Sequence, residues 1–187
     1  LAAVSADPGF VRAAASDDLY TPVATSLGVD RPTAKVAVLA AMYGQTSGAA
    51  GQALKQMELA YPTALAFLRE AEEAGRTGRD GRTHGGRRIL LGHGGVGRYA
   101  RNAVVQGAAA ALFKAWAAAV RNGLQDGRVV LCLHDELLLH VPLDQADDAV
   151  TLLHAALSSV SGHWASGSGV RFVADVAVVR RWSDAKG

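Results

Sequence analysis

The sequence predicts an α+β fold: a helical lobe followed by a smaller lobe built on a short antiparallel sheet. Three observations carry that prediction. Residues 1–74 read as successive short helices, opened by capping residues and closed by Gly or Pro. The stretch RVVLCLHDELLLHVP, Arg128 to Pro142, sets two apolar arms around a polar tip, the pattern of a hairpin. An amphipathic helix and then an alternating segment, Arg171 to Val179, follow it. Helices grouped ahead of a helix–hairpin–helix–strand unit belong to an α+β arrangement. With 187 residues, half of them apolar, the chain can bury one sizeable core or two small ones.

The elements follow in order. Ser5 and Asp7 can cap a short helix from Pro8 to Ala14, with Pro in its first turn. Asp17 can cap a second helix, residues 18–27, stopped by Gly28. Asp30 caps a third, DRPTAKVAVLAAMYG, which ends at Gly44. Helices over Ser47–Leu59 and Pro62–Ala74 are separated at Tyr61-Pro62. From Gly75 to Gly97 the chain is dense in Gly and Arg around one apolar island, Ile89 to Leu91, and reads as a loop or a short hairpin. A long helix covers Tyr99 to Asn122. The hairpin comes next, then a helix over Asp144–Ser159 and a strand over Arg171–Val179.

Charge is distributed unevenly. The formal total is +2, but residues 1–63 carry −1, residues 64–130 carry +6 and residues 131–187 carry −3. Arg outnumbers Lys fifteen to four. Arg is the better bidentate partner of phosphate, but GC-rich coding gives the same bias; the basic middle beside an acidic end is more informative than the total. The single cysteine, Cys132, rules out an intrachain disulfide or a cysteine cluster for zinc and reads as a small core residue. The apolar runs are too short or too interrupted for a membrane span, and a reducing, cytoplasmic setting is expected. The chain opens on LAAVSADPGF, without Met, and reads as a piece of a longer protein.

Four groups of residues could carry chemistry. Arg31, Lys35, Leu39 and Tyr43 are spaced by four and fall on one helix stripe. Two cations in the first turns of a helix oppose its dipole by roughly 0.3–1 kcal/mol each, a cost that an anion would relieve. Between Arg76 and Arg101 lie seven Arg and one Asp, a strip suited to a phosphate backbone. Arg98, Asn102 and Gln106 share a face of the long helix, where amides can donate and accept. His134, Asp135 and Glu136 form the hairpin tip. His-Asp is a poor turn-former, and the two carboxylates offer the hard oxygens that Mg2+ takes. Each group also has a plainer reading: solvated surface residues, a solvated loop, the polar side of an amphipathic helix, an ordinary turn.

Taken in order, these motifs resemble the C-terminal part of a family A DNA polymerase of the bacterial DNA polymerase I type. The pattern R-x3-K-x7-YG is met by Arg31, Lys35, Tyr43 and Gly44. RNAVVQG is similar to the family's N-x-x-x-Q-G segment, LHDEL to its VHDEL hairpin, and RRWSDAKG to its closing Trp-containing tail. The resemblance spans essentially the whole chain. It implies a helical fingers region over 1–97 and the C-terminal palm region over 98–187. It implies template-directed DNA synthesis from dNTPs with two Mg2+ ions, on primer–template DNA, by a monomer in the bacterial cytoplasm. Arg31 and Lys35 would hold the triphosphate, with Lys35 protonating the departing pyrophosphate. Leu39 and Tyr43 would line the nucleotide pocket. Arg98, Asn102 and Gln106 would contact DNA, and His134 would position the primer end. Asp135 would ligate metal, with Glu136 as an auxiliary carboxylate. The cationic stripe and the acidic tip would then face each other across a cleft.

Two departures qualify the resemblance. The family usually carries an aromatic residue where Leu39 stands, so sugar selectivity is expected to differ. The family also places a second metal-binding Asp, in a D-x-S-Q-I-E-L-R type motif, just ahead of a segment like LAAVSAD, with the thumb and any exonuclease domain further upstream. Here the chain begins with that segment, so it is expected to be inactive alone. Two other functions stay open: a non-catalytic nucleic-acid-binding remnant using the basic middle, and a metal-dependent phosphoesterase built on His134, Asp135 and Glu136.

Overall fold

The computed structural model describes residues 1–45 and 48–185. It is an α+β structure that divides into two compact units, Leu1–Ala111 with Ala165–Arg171, and Leu112–Trp164 with the segment from Phe172 onward. The helix start expected at Ser47 and the last two residues of the tail motif, Lys186 and Gly187, lie outside the described residues.

The first unit holds α1 (Ala2–Ser5), α2 (Pro8–Ala13), α3 (Tyr20–Leu27), α4 (Arg31–Tyr43), α5 (Gly48–Ala60) and α6 (Pro62–Thr77). A two-residue-per-strand hairpin, β1 (Gly81–Arg82) and β2 (Arg88–Ile89), and the first half of α7 (Gly97–Gly123) complete it. Its core is Phe10, Val23, Ala34, Ala37, Met57, Tyr61, Leu65 and Leu68, all close to fully buried. Phe10 and Tyr61 pack ring on ring, 4.9 Å between centroids. Alanine dominates the buried face of α4, which lets neighbouring helices approach closely. Gly75 does the same between α6 and α7: a Cβ there would lie 2.5 Å from that of Ala100.

Asp7 is the polar centre of this core. Oδ1 accepts from Phe10 N–H at the start of α2, and Oδ2 accepts from Thr63 and Ala64 N–H at the start of α6. One buried carboxylate therefore caps two helices. The expected α2 cap is present; the link to α6, more than fifty residues away, has no local signature. At α3 the capping carboxylate is Asp18, which accepts from Tyr20 N–H, rather than the expected Asp17. Asp17 instead pairs with Arg171 at 2.6 Å. The α6 helix runs three residues past the expected end and stops at Gly78, which has φ of 75°.

The second unit holds the rest of α7, the hairpin β3 (Arg128–Leu133) and β4 (Glu136–His140), a 3-10 turn at Leu143–Gln145, α8 (Ala146–Trp164) and a 3-10 turn at Trp182–Ala185. Trp116, Val120, Leu153 and Leu157 form its core, and Trp116 Nε1 donates to Leu153 O at 2.9 Å. Val129, Leu137 and Leu139 pack against that core from the hairpin.

Three expectations are corrected here. The segment from Arg171 to Val179 is extended but forms no strand ladder. Its alternation is real, since Phe172, Ala174 and Val176 face the core and the residues between them face out. Alternation reports one seated face, whereas a strand also needs a paired backbone. Cys132 is exposed, on the end of the paired hairpin, Cys132 to Glu136, that the core leaves uncovered. The hairpin arms are half-buried at most, since the core covers only one of their faces. Finally, α7 is long and apolar enough, by length and composition, to cross a membrane, contrary to the run lengths read from the sequence. That helix buries Ala100, Val105, Leu112, Trp116 and Val120 against protein.

Candidate functional site

Helix α4 carries the cationic group. Asp30 caps it by accepting from Thr33 N–H at 2.9 Å, and Gly44 closes it with φ of 65°. Ala34, Ala37, Val38 and Ala41 are buried on one face. Arg31, Lys35 and Tyr43 are exposed on the other, with Leu39 partly exposed between them. The four-residue spacing thus yields one accessible stripe about three turns long.

Arg31 already has a partner. Its Nε and Nη2 donate to Asp18 Oδ2 and Oδ1 at 2.9 and 3.1 Å, a side-on bidentate pair. Tyr20 lies beside both cations: its ring centroid is 5.4 Å from Arg31 Cζ and 6.0 Å from Lys35 Nζ. The Arg31 guanidinium first, then the Thr21 hydroxyl, holds the Asp18 carboxyl well below the usual carboxylate range, and Asp18 raises Arg31 in return. Local spacing gave no sign of Asp18, just ahead of α3, or of Tyr20, at the start of α3.

The basic strip is partly self-neutralised. Arg76 pairs with Glu73, Arg88 with Asp80 and Arg101 with Glu72. Asp80 also accepts from Leu91 N–H, and that bond first, then Arg88, lowers its pKa. Arg101 is almost fully buried. It donates Nε to Ala41 O, in the last turn of α4, and Nη1 to Glu72 on α6. The sequence did hold a signal for this: Arg101, Val105, Ala108 and Leu112 are helix-spaced, and the last three are apolar. Arg98 and Gln106 are exposed on α7, and Asn102 is partly buried between them. Asn102 Oδ1 is buried without a hydrogen-bond partner among the described residues. Such an acceptor is costly unless a donor reaches it.

The acidic group sits at the tip of the β3–β4 hairpin. Leu133 pairs with Glu136, so His134 and Asp135 form a two-residue turn. His134 has φ of 53° while Asp135 does not enter the positive region, the sign pattern of a turn that prefers Gly first. A non-glycine residue there costs about 1–2 kcal/mol. Glu136 stands on the same face as Leu138 and His140, away from the core-facing Leu137 and Leu139. His134, Asp135 and Glu136 are all exposed. Among the described residues no group of three or more His, Cys, Asp or Glu could hold a metal ion. The donor chemistry fits Mg2+, which uses one or two carboxylates and completes its shell with water and phosphate; the number of donors falls short of a protein cage.

A helical unit with a cationic helix stripe is thus joined in sequence to a hairpin with an acidic tip, in an α+β chain. The family model for DNA polymerase family A matches residues 1–184. The chain belongs to that family. Among solved structures it is similar to the POL domain of Pol1 from M. smegmatis, in complex with DNA primer-template and dNTP, with a TM-score of 0.72 and 23% identity. That match covers 85% of this chain and 34% of the solved one, so the chain spans about a third of its solved relative's length. No curated protein matches.

Proposed function

We propose that the chain supplies part of a template-directed DNA polymerase, with residues 1–97 acting as fingers and residues 98–187 as the C-terminal palm. The observation that carries this is the accessible stripe of Arg31, Lys35, Leu39 and Tyr43 on one face of α4, in a chain matched to the family over residues 1–184. Arg31 and Lys35 bind the triphosphate of a dNTP. The primer 3′ hydroxyl gives up its proton to solvent as its oxygen attacks the α-phosphorus, the bond to the α–β bridging oxygen breaks, and Lys35 gives a proton to the leaving pyrophosphate. Tyr43 closes the nucleotide pocket beside Leu39, which fills space without stacking. Arg98, Asn102 and Gln106 contact primer–template DNA, and the buried Oδ1 of Asn102 takes a donor from it. His134 orients the primer end. Mg2+ held at Asp135, with Glu136 assisting, would stabilise charge on the attacking and leaving oxygens.

Two carboxylates at an exposed tip make an incomplete site for two ions. The same proposal therefore includes that these 187 residues do not polymerise unaided, and that a further carboxylate comes from a longer chain. A monomer in the bacterial cytoplasm belongs to the same reading. Primer extension with Mg2+ and four dNTPs is the test. The expected result is no extension by the 187 residues, extension by a longer chain encoded in the same frame, and a loss of a hundredfold or more in that chain on Lys35→Ala or Asp135→Ala. Extension insensitive to both substitutions would overturn it.

A further inference from the structure

Arginine has five N–H donors in a rigid fork. Asp18 engages Nε and one hydrogen of Nη2, so three donors on the outer edge of the Arg31 fork remain for a ligand. Asp18 is itself fixed. Oδ1 also accepts from Tyr20 N–H at 3.1 Å, and Oδ2 from the Thr21 hydroxyl at 2.5 Å. Each carboxylate oxygen thus takes two bonds, one from α3 and one from Arg31. The Tyr20 ring, held in place by the same turn of α3, lies beside the guanidinium and beside Lys35. An exposed Arg on the first turn of a helix would otherwise sample many rotamers, at about 2 kcal/mol of side-chain entropy.

The local charge balance sharpens the point. Arg31 and Lys35 are matched by Asp18 and by the capping carboxylate of Asp30, so net attraction for an anion is weak at this helix end. Affinity here must come from donor geometry, which depends on where the fork points. We propose that Asp18 is a positioning residue for Arg31: it holds the inner edge of the guanidinium so that the outer edge is preset for the oxygens of a triphosphate. This rests on the triphosphate reading of α4 given above. Asp18 touches no ligand and acts only through Arg31.

The test uses the full 187-residue chain and inorganic tripolyphosphate with Mg2+, followed by calorimetry. Asp18→Asn, which keeps the shape of the side chain but removes its charge, is expected to weaken binding about five- to tenfold while the chain stays folded. Arg31→Ala is expected to weaken it at least as much, and to make Asp18→Asn silent when combined with it. An Asp18→Asn chain that binds as well as, or better than, the parent overturns the inference and leaves the triphosphate reading standing. So does an Asp18→Asn loss that persists undiminished in the Arg31→Ala background. Failure of the folded parent chain to bind tripolyphosphate overturns both. A second readout does not depend on binding constants: the Arg31 Nε–H NMR signal should keep its position in the parent when tripolyphosphate is added. A shift to the position seen in Asp18→Asn would mean that the ligand strips Arg31 from Asp18, and would also sink the idea.

Discussion

The two groups that carry the proposed chemistry are held by opposite means. The cationic stripe lies on α4, whose other face is buried among alanines and whose two ends are tied down, by Asp18 on Arg31 and by Arg101 on the Ala41 carbonyl. The acidic tip stands on a two-stranded hairpin with one covered face, and its direction is set by a turn that puts His134 in a left-handed conformation. One group gains precision from packing and ion pairs, the other from local strain. Strained, exposed residues persist where something beyond stability selects them. That difference gives the two regions different sensitivities to mutation.

The largest contrast should appear in the cores. Leu65→Ala removes a side chain with no exposed surface and is expected to cost the first unit about 2–5 kcal/mol. Leu138→Ala, on the half-buried hairpin, is expected to cost only about 1 kcal/mol. Urea unfolding followed by probes in each unit measures both; equal costs would erase the contrast. Next is Arg101→Met, which leaves the Ala41 carbonyl without its donor and Glu72 without its ion pair, at about 1–3 kcal/mol. Hydrogen exchange should then rise in the last turn of α4 ahead of the rest of the helix. A uniform rise would show that Arg101 supports the unit as a whole.

At the tip the sign reverses. His134→Gly relieves the positive φ and is expected to stabilise the second unit by about 1 kcal/mol while weakening primer–template binding. If thermal stability falls, the turn is not strained and that half of the comparison fails. The smallest effect is electrostatic. The folded pKa of Asp80 is depressed by Leu91 N–H and Arg88, so its contribution is present above the unfolded aspartate value, about 4, and is lost as pH falls through the folded value. Hydrogen exchange around β1 and β2 should speed up below about pH 4, and Asp80→Asn should flatten that dependence. Loosening on the alkaline side instead would refute the assignment.

Much of this was legible in the residues. Helix positions followed from caps such as Asp7 and Asp30 and stops such as Gly28 and Gly44, because those groups satisfy backbone atoms within a few residues. The α4 stripe followed from spacing alone, and the hairpin from its apolar arms. What escaped reading depends on distance along the chain. Asp18 meets Arg31 only when α3 packs on α4, and Asp7 reaches α6 only when α2 does. The segment from Arg171 to Val179 has the alternation of a strand, but pairing is a property of two segments, and one cannot announce it. Arg101 was visible as a charge on an apolar stripe; its partners, Ala41 and Glu72, were not.

The central claim is that Arg31 and Lys35, on the exposed face of α4, bind the triphosphate of a dNTP. Calorimetric titration of a dNTP with Mg2+ into the parent chain, Arg31→Ala, Lys35→Ala and the double variant tests it most directly. The account predicts that each single change weakens binding about tenfold or more, and that the double change costs clearly less than their product, because both residues hold the same ligand. Binding that ignores Lys35→Ala, or losses that simply multiply, would contradict it.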